Sequence, residues 1–150
     1  MKPMTSAAEA EGALDELRGL VEKLAALLAQ ETALVRAGEI RNAAAMQPAK
    51  QDLTGRLLAA GERIKANAKF ILSAAPARCA ALKSVQDAFG AVIQKNMMVL
   101  ATAHAVSEGI VRRLSSEVTR KAAPQIYGAS GRTTAPSPKY ARPLAVSKTL

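Results

Sequence analysis

Large aromatic side chains are nearly missing from this chain. In 150 residues there is no tryptophan, with two phenylalanines and two tyrosines. That excludes a large globular core built on big rings and favours helices knitted together by Leu, Val and Ala. Cysteine occurs once, as Cys79, so an intramolecular disulfide framework is excluded and a reducing compartment fits. Histidine also occurs once, as His104. No Cys/His pair has metal-ligand spacing, and no glycine loop suited to phosphate is present. Gly128-Ala129-Ser130-Gly131 follows a helical pattern and a proline and lacks a following Lys-Ser/Thr. No nucleophile, base and orienting group come together in the pattern, so the chain reads as a non-enzyme with no cofactor and no metal. An uncharged apolar run of the roughly 18–20 residues needed to span a bilayer is missing too. Residues 97–106 come closest, but they are few and include His104. Stable membrane insertion is therefore not expected. Glu9, Glu11, Asp15 and Glu16 stand where a secretory signal would carry its apolar region, so a cytoplasmic location is expected.

What is present is basic charge and helical periodicity. The net charge of +9 is unevenly spread. Residues 1–47 carry five basic and seven acidic groups, residues 48–76 five and two, residues 77–123 seven and three, and residues 124–150 four and none. The positive excess rises along the chain and suits contact with an anionic surface. Nucleic acid is not the expected partner. Arg112, Arg113, Arg120 and Lys121 form no long block, and there is no aromatic stacking platform, zinc-finger spacing or helix-turn-helix pattern.

The dominant stretch is 77–123. Apolar or small residues recur at Leu82, Val85, Phe89, Val92, Val99, Ala103, Val106, Ile110 and Leu114, with Asn96 in the one polar slot. Steps of three and four predict one long helix. Glu108 and Arg112, and Glu117 and Lys121, stand four apart in the favourable order. Pro124 ends the pattern. Earlier in the chain, Ser6 and Glu9 have capping-box spacing. Leu14, Leu17, Val21, Leu24, Leu28, Glu31 and Val35 then form a first seam, and Gly38 suits a left-handed helix end. A second seam reads Leu53, Leu57, Ala60, Ile64, Asn67 and Ile71. Pro48 should kink that helix or start it afresh, and Gly55 and Gly61 make it the softest of the three.

The expected fold class is all-α: an elongated antiparallel three-helix bundle or coiled coil with a very long third helix. The expected division is a flexible N-terminus at 1–8, a helical domain at 9–123 with helices near 9–37, 39–73 and 77–123, and a flexible, disordered basic tail at 124–150 containing Pro and Gly. The long third helix should be covered by the first two along 82–106 and outrun them beyond Ile110.

Several residues carry a plain and a functional reading. His104 reads as a helix-flank residue tucked beside the seam rather than a pH sensor. Asn96 and Asn67 read as polar positions that set register. Met97 and Met98 read first as core filler, second as a surface able to accept different helices. Tyr127, beside Ile126 and Gly128, is either an idle tail aromatic or an anchor for a pocket on a partner.

The stretch Leu28-Ala29-Gln30-Glu31-Thr32-Ala33-Leu34-Val35-Arg36-Ala37-Gly38-Glu39-Ile40, followed by Lys50 and Leu53, resembles the FlgN family of flagellar export chaperones. Asn96-x-x-Val99-Leu100-x-x-Ala103 and Tyr127-Gly128-x-x-Gly131 look like the C-terminal half of that family. The likeness covers roughly residues 10–131. Gly38-Glu39 departs from the commoner Gly-Asp pair, Pro48 interrupts the second helix, and residues 132–150 fall outside the pattern. The resemblance implies a chaperone without ATPase activity. It would bind hook-associated proteins of the hook–filament junction, keep them from assembling early, and deliver them to the flagellar export gate. It further implies cargo binding in the C-terminal part and gate docking by a tyrosine after the last helix, which by position is Tyr127, with Ile126 beside it.

The residue pattern places cargo binding on Ile110, Val111, Leu114 and Val118, where cover should run out. A seam of Leu, Val and Asn serves self-association as readily as cargo, which leaves a homo-oligomer open. The other reading is a phasin-like protein whose amphipathic helices coat storage granules. The Gly38 break and the Tyr127-Gly128 tail favour the chaperone.

Overall fold

The computed structural model describes residues 3–122 of the chain, and among these every regular element is an α-helix. The expectations placed on residues 124–150, Ile126 and Tyr127 among them, lie outside the described residues. The chain divides into two units, residues 1–103 and 104–150.

Helix α1 spans Ala7–Arg36. Ser6 caps it, its hydroxyl accepting from the Glu9 N–H at 3.2 Å. The Glu9 carboxylate reaches back one residue further than a standard capping box and accepts from the Thr5 N–H at 2.8 Å. The helix ends in a Schellman turn. The Glu39 N–H bonds to the Leu34 carbonyl at 2.9 Å and the Gly38 N–H to Val35 at 3.1 Å. This closure needs a positive φ at Gly38, which is +79°. The buried face of α1 contains every position of the expected first seam, Glu31 included.

The expected second helix over 39–73 is three helices: α2 at Ile40–Ala45, α3 at Gln47–Ala66 and α4 at Ala68–Ala74. Proline causes the first break. Pro48 stands in the first turn of α3, where its missing N–H is one that the helix leaves unpaired anyway. Pro48 thus starts the helix afresh rather than kinking it. Asn67 causes the second break. Its own N–H turns to Ile64 at 3.0 Å, while its side-chain amide donates to the Arg63 carbonyl at 2.9 Å. The side chain takes the acceptor that the helical backbone would use. Its Oδ1 also accepts from the Met4 N–H at 2.9 Å. The one-residue joint therefore holds the segment ahead of α1.

Helix α5 spans Pro76–Ala122, with Pro76 at its first position. In the first unit, Leu82 of α5 joins Ala10, Leu14, Leu17, Ile71 and Ala75 in the buried cluster. Each large aliphatic residue buried there is worth about 1.5–3 kcal/mol. Polar contacts fix the pairing of the elements. Lys50 meets Glu31 and Arg63 meets Glu16, so partners in α3 rise in number as those in α1 fall. Arg78 meets Asp15, and Asn96 meets Glu31, so partners in α5 and α1 rise together.

The covered seam of α5 is shorter than its sequence pattern. Leu82 and Asn96 are buried, and Val85, Phe89, Val92, Val99 and Ala103 are half-buried. Val106, expected under cover, is 57% exposed. The reason is length. Asn96 lies level with Glu31 and Thr32, and α1 has only four residues beyond Thr32. Both helices rise by about 1.5 Å per residue, so cover by α1 ends about one turn past Asn96. Met97 and Met98 are exposed, not core filler. They stand about 100° and 200° around the helix from Asn96, which faces inward. His104 is likewise exposed rather than tucked against the seam.

Candidate functional site

Two arrangements stand out, one in each unit. In the first unit a buried polar node joins three helices. Glu31 is 4% exposed, Thr32 5% and Asn96 4%. Lys50 Nζ lies 2.6 Å from Glu31 Oε1. Asn96 Nδ2 donates to Glu31 Oε2 at 2.9 Å and to Thr32 Oγ1 at 3.1 Å, with the Leu28 carbonyl at 3.2 Å. The Thr32 hydroxyl donates to that same carbonyl at 2.8 Å. Both Glu31 oxygens are occupied, one by a cation and one by an amide. No buried side-chain nitrogen or oxygen among the described residues lacks a partner. The buried members of the node, Glu31, Thr32 and Asn96, have no acceptor or donor poised for a reacting group, and the node's evident work is to fix axial register. Sequence periodicity placed Glu31 and Asn96 in their seams. Thr32 and Lys50 gave no such signal, since a neighbour one step off a seam and a lysine in a soft helix both look like surface.

In the second unit the described part of α5 carries an apolar row. Val106, Ile110, Leu114 and Val118 follow one another at intervals of four and are 57%, 54%, 61% and 55% exposed. At about 100° per residue they lie along one slanting ridge, and Val111 flanks it. Val111 is 46% exposed. Four of these five residues are the expected cargo residues Ile110, Val111, Leu114 and Val118. The structure places all four on the surface and on adjoining faces of one helix. Val106 belongs to the same row, one turn earlier than the pattern of the long seam suggested.

Charges flank this row unevenly. Arg112 and Glu108 pair at 3.9 Å on the face turned away from it. Glu117 pairs with Arg120 at 2.8 Å, not with the Lys121 that its spacing suggested. Side-chain hydroxyls also return to the helix backbone: Ser116 donates to the Arg113 carbonyl and Thr119 to that of Ser115. These bonds tie the two hydroxyls to their own helix, beside an aliphatic row that stays exposed. Such a row suits apolar side chains presented by another helix.

Among the described residues no group of three or more His, Cys, Asp or Glu side chains could hold a metal ion. Nor is any described helix long and apolar enough to cross a membrane. Cys79 is half-buried, with its sulfur 4.0 Å from the Ile71 carbonyl. Comparison with known proteins yields no matching family model, no matching curated protein and no matching solved structure.

Proposed function

We propose that this chain is a non-enzymatic helical chaperone of flagellar type III export that holds hook-associated proteins in the cytoplasm and delivers them to the export gate. The observation that carries the reading is the exposed aliphatic row of α5. Ile110, Val111, Leu114 and Val118 are each between 46% and 61% exposed. A soluble helix keeps such a row for a partner, because apolar surface left in water favours association. Further support comes from the motifs around Gly38, Asn96 and Tyr127 that resemble the FlgN family. On this reading the helices of the first unit form an elongated up-down-up bundle, with α2, α3 and α4 together as the descending arm. Cargo lays an amphipathic segment along the row and is kept from assembling by mass action. Ile126 and Tyr127 dock at the gate.

The test is retention of purified hook-associated proteins by the full-length chain and by a chain lacking residues 111–150. Retention by the first and loss by the second is expected. No cargo on the full-length chain contradicts the chaperone reading and turns attention to granule coating. A second test separates the two roles. Tyr127→Ala should leave cargo affinity within about twofold and impair export. Lost cargo binding with normal docking at the gate would reverse the assignment.

A further inference from the structure

The first unit has a cleft that the chaperone reading does not use. It is an open volume of about 700 Å³, within the range of about 300–1,000 Å³ typical of small-molecule sites. Its apolar wall includes Leu24, Leu28, Leu57, Leu58, Phe89 and Ile93. The few polar atoms of its lining come from one face of α3, where Gln47, Lys50, Gln51 and Thr54 stand. Those four residues sit at i, i+3, i+4 and i+7, so they form a continuous strip. Gly55 also lines the cleft, and a Cβ built on it would meet nothing within 4 Å.

We propose that this cleft binds a free single-chain carboxylate amphiphile, with its hydrocarbon chain along the apolar wall and its headgroup at the polar strip. Hydrogen-bond donors select the headgroup, since the charge of Lys50 is already balanced by Glu31. Lys50 is the one charged residue lining the cleft, and none of the lining residues is acidic. Lys50 gives one N–H to Glu31 Oε1 at 2.6 Å, and an ammonium has two more to offer. Its side chain is 21% exposed, so it is reachable. The amides of Gln47 and Gln51 add neutral donors along the strip. Cooperation between an apolar wall and a few convergent polar groups is the usual chemistry of such sites.

The test is calorimetric titration of the full-length chain with decanoate, dodecanoate and tetradecanoate below their micelle concentrations. Each added methylene should tighten binding by about fourfold until the cleft is full. Dodecyltrimethylammonium, with the same chain and the opposite charge, should bind at least about tenfold more weakly. Gly55→Leu places a side chain in the open space, improves helix propensity, and should abolish binding while circular dichroism stays unchanged. Leu58→Glu is the second variant; Leu58 is 65% exposed, so the change spares the core and puts a carboxylate on the apolar wall. It should weaken dodecanoate by about tenfold or more. Absence of binding, indifference to chain length, equal affinity for the cationic amphiphile, or undiminished binding by both folded variants would each overturn the proposal.

Discussion

Glu31 is the residue on which the first unit turns. It stands in an otherwise apolar seam and is 4% exposed. An unpartnered carboxylate there would carry a large desolvation cost, so its stability depends on Lys50 at 2.6 Å and Asn96 at 2.9 Å. Removing one partner leaves the buried charge uncompensated. Lys50→Met should therefore lower unfolding free energy in urea by about 3–5 kcal/mol, whereas the double change Glu31→Leu with Lys50→Met should recover most of that loss. A neutral Lys50→Met would contradict this account of the node. Gly38 makes the second case at this scale. Its φ of +79° is where side chains with a Cβ are strained, and Gly38→Ala should cost about 1–2 kcal/mol in the same measurement. The two residues differ in how legible they were. Gly38 announces a helix end by itself. Glu31 shows its place in the seam but not its cation, because Lys50 comes from another helix 19 residues away and no local pattern links the two.

At the scale of elements, the segment between α1 and α5 shows how local chemistry divides a helix that periodicity draws as one. The seam Leu53, Leu57, Ala60, Ile64, Asn67 and Ile71 does face inward, each position being buried or half-buried. The inward face was therefore readable from spacing alone. The joints were readable only in part. Pro48 signals a break through its missing N–H, but Asn67 acts through a side-chain bond to Arg63 and a distant contact to Met4. Spacing makes no distinction between an asparagine that sets register and one that ends a helix. Helix α3 has no fully buried residue and two interior glycines. Gly61 is half-buried and has open space around its missing Cβ. Gly61→Ala should then raise stability by about 1 kcal/mol by improving helix propensity. A destabilised variant would show that the glycine serves a close approach. The end of cover on α5 follows from counting residues beyond the Glu31–Asn96 contact, a contact hidden from the sequence. Hence the exposed row begins at Val106, one turn before Ile110.

Across the whole molecule, the described residues of the two units divide buried core from exposed aliphatic surface. Among the described residues, the buried ones, with the polar node and the aliphatic cluster, all belong to residues 1–103. The described residues of the second unit contribute no buried side chain. Substitutions on their aliphatic row should therefore leave unfolding free energy within about 0.5 kcal/mol. Any effect on cargo would then report a lost contact rather than a lost fold. Charge follows the same division, with 13 basic and 10 acidic groups in residues 1–103 against eight and two in residues 104–150. An acidic or mixed-charge cargo helix would meet attraction around an apolar contact, which raises association rate more than affinity.

The most direct measurement of the central claim is the affinity of purified hook-associated proteins for the full-length chain and for its double variant Ile110→Ser with Leu114→Ser. Both residues are more than half exposed. The account predicts measurable binding by the native chain, a loss of at least about a hundredfold in the variant, and unchanged urea unfolding. Equal affinity of the two chains for cargo would contradict it.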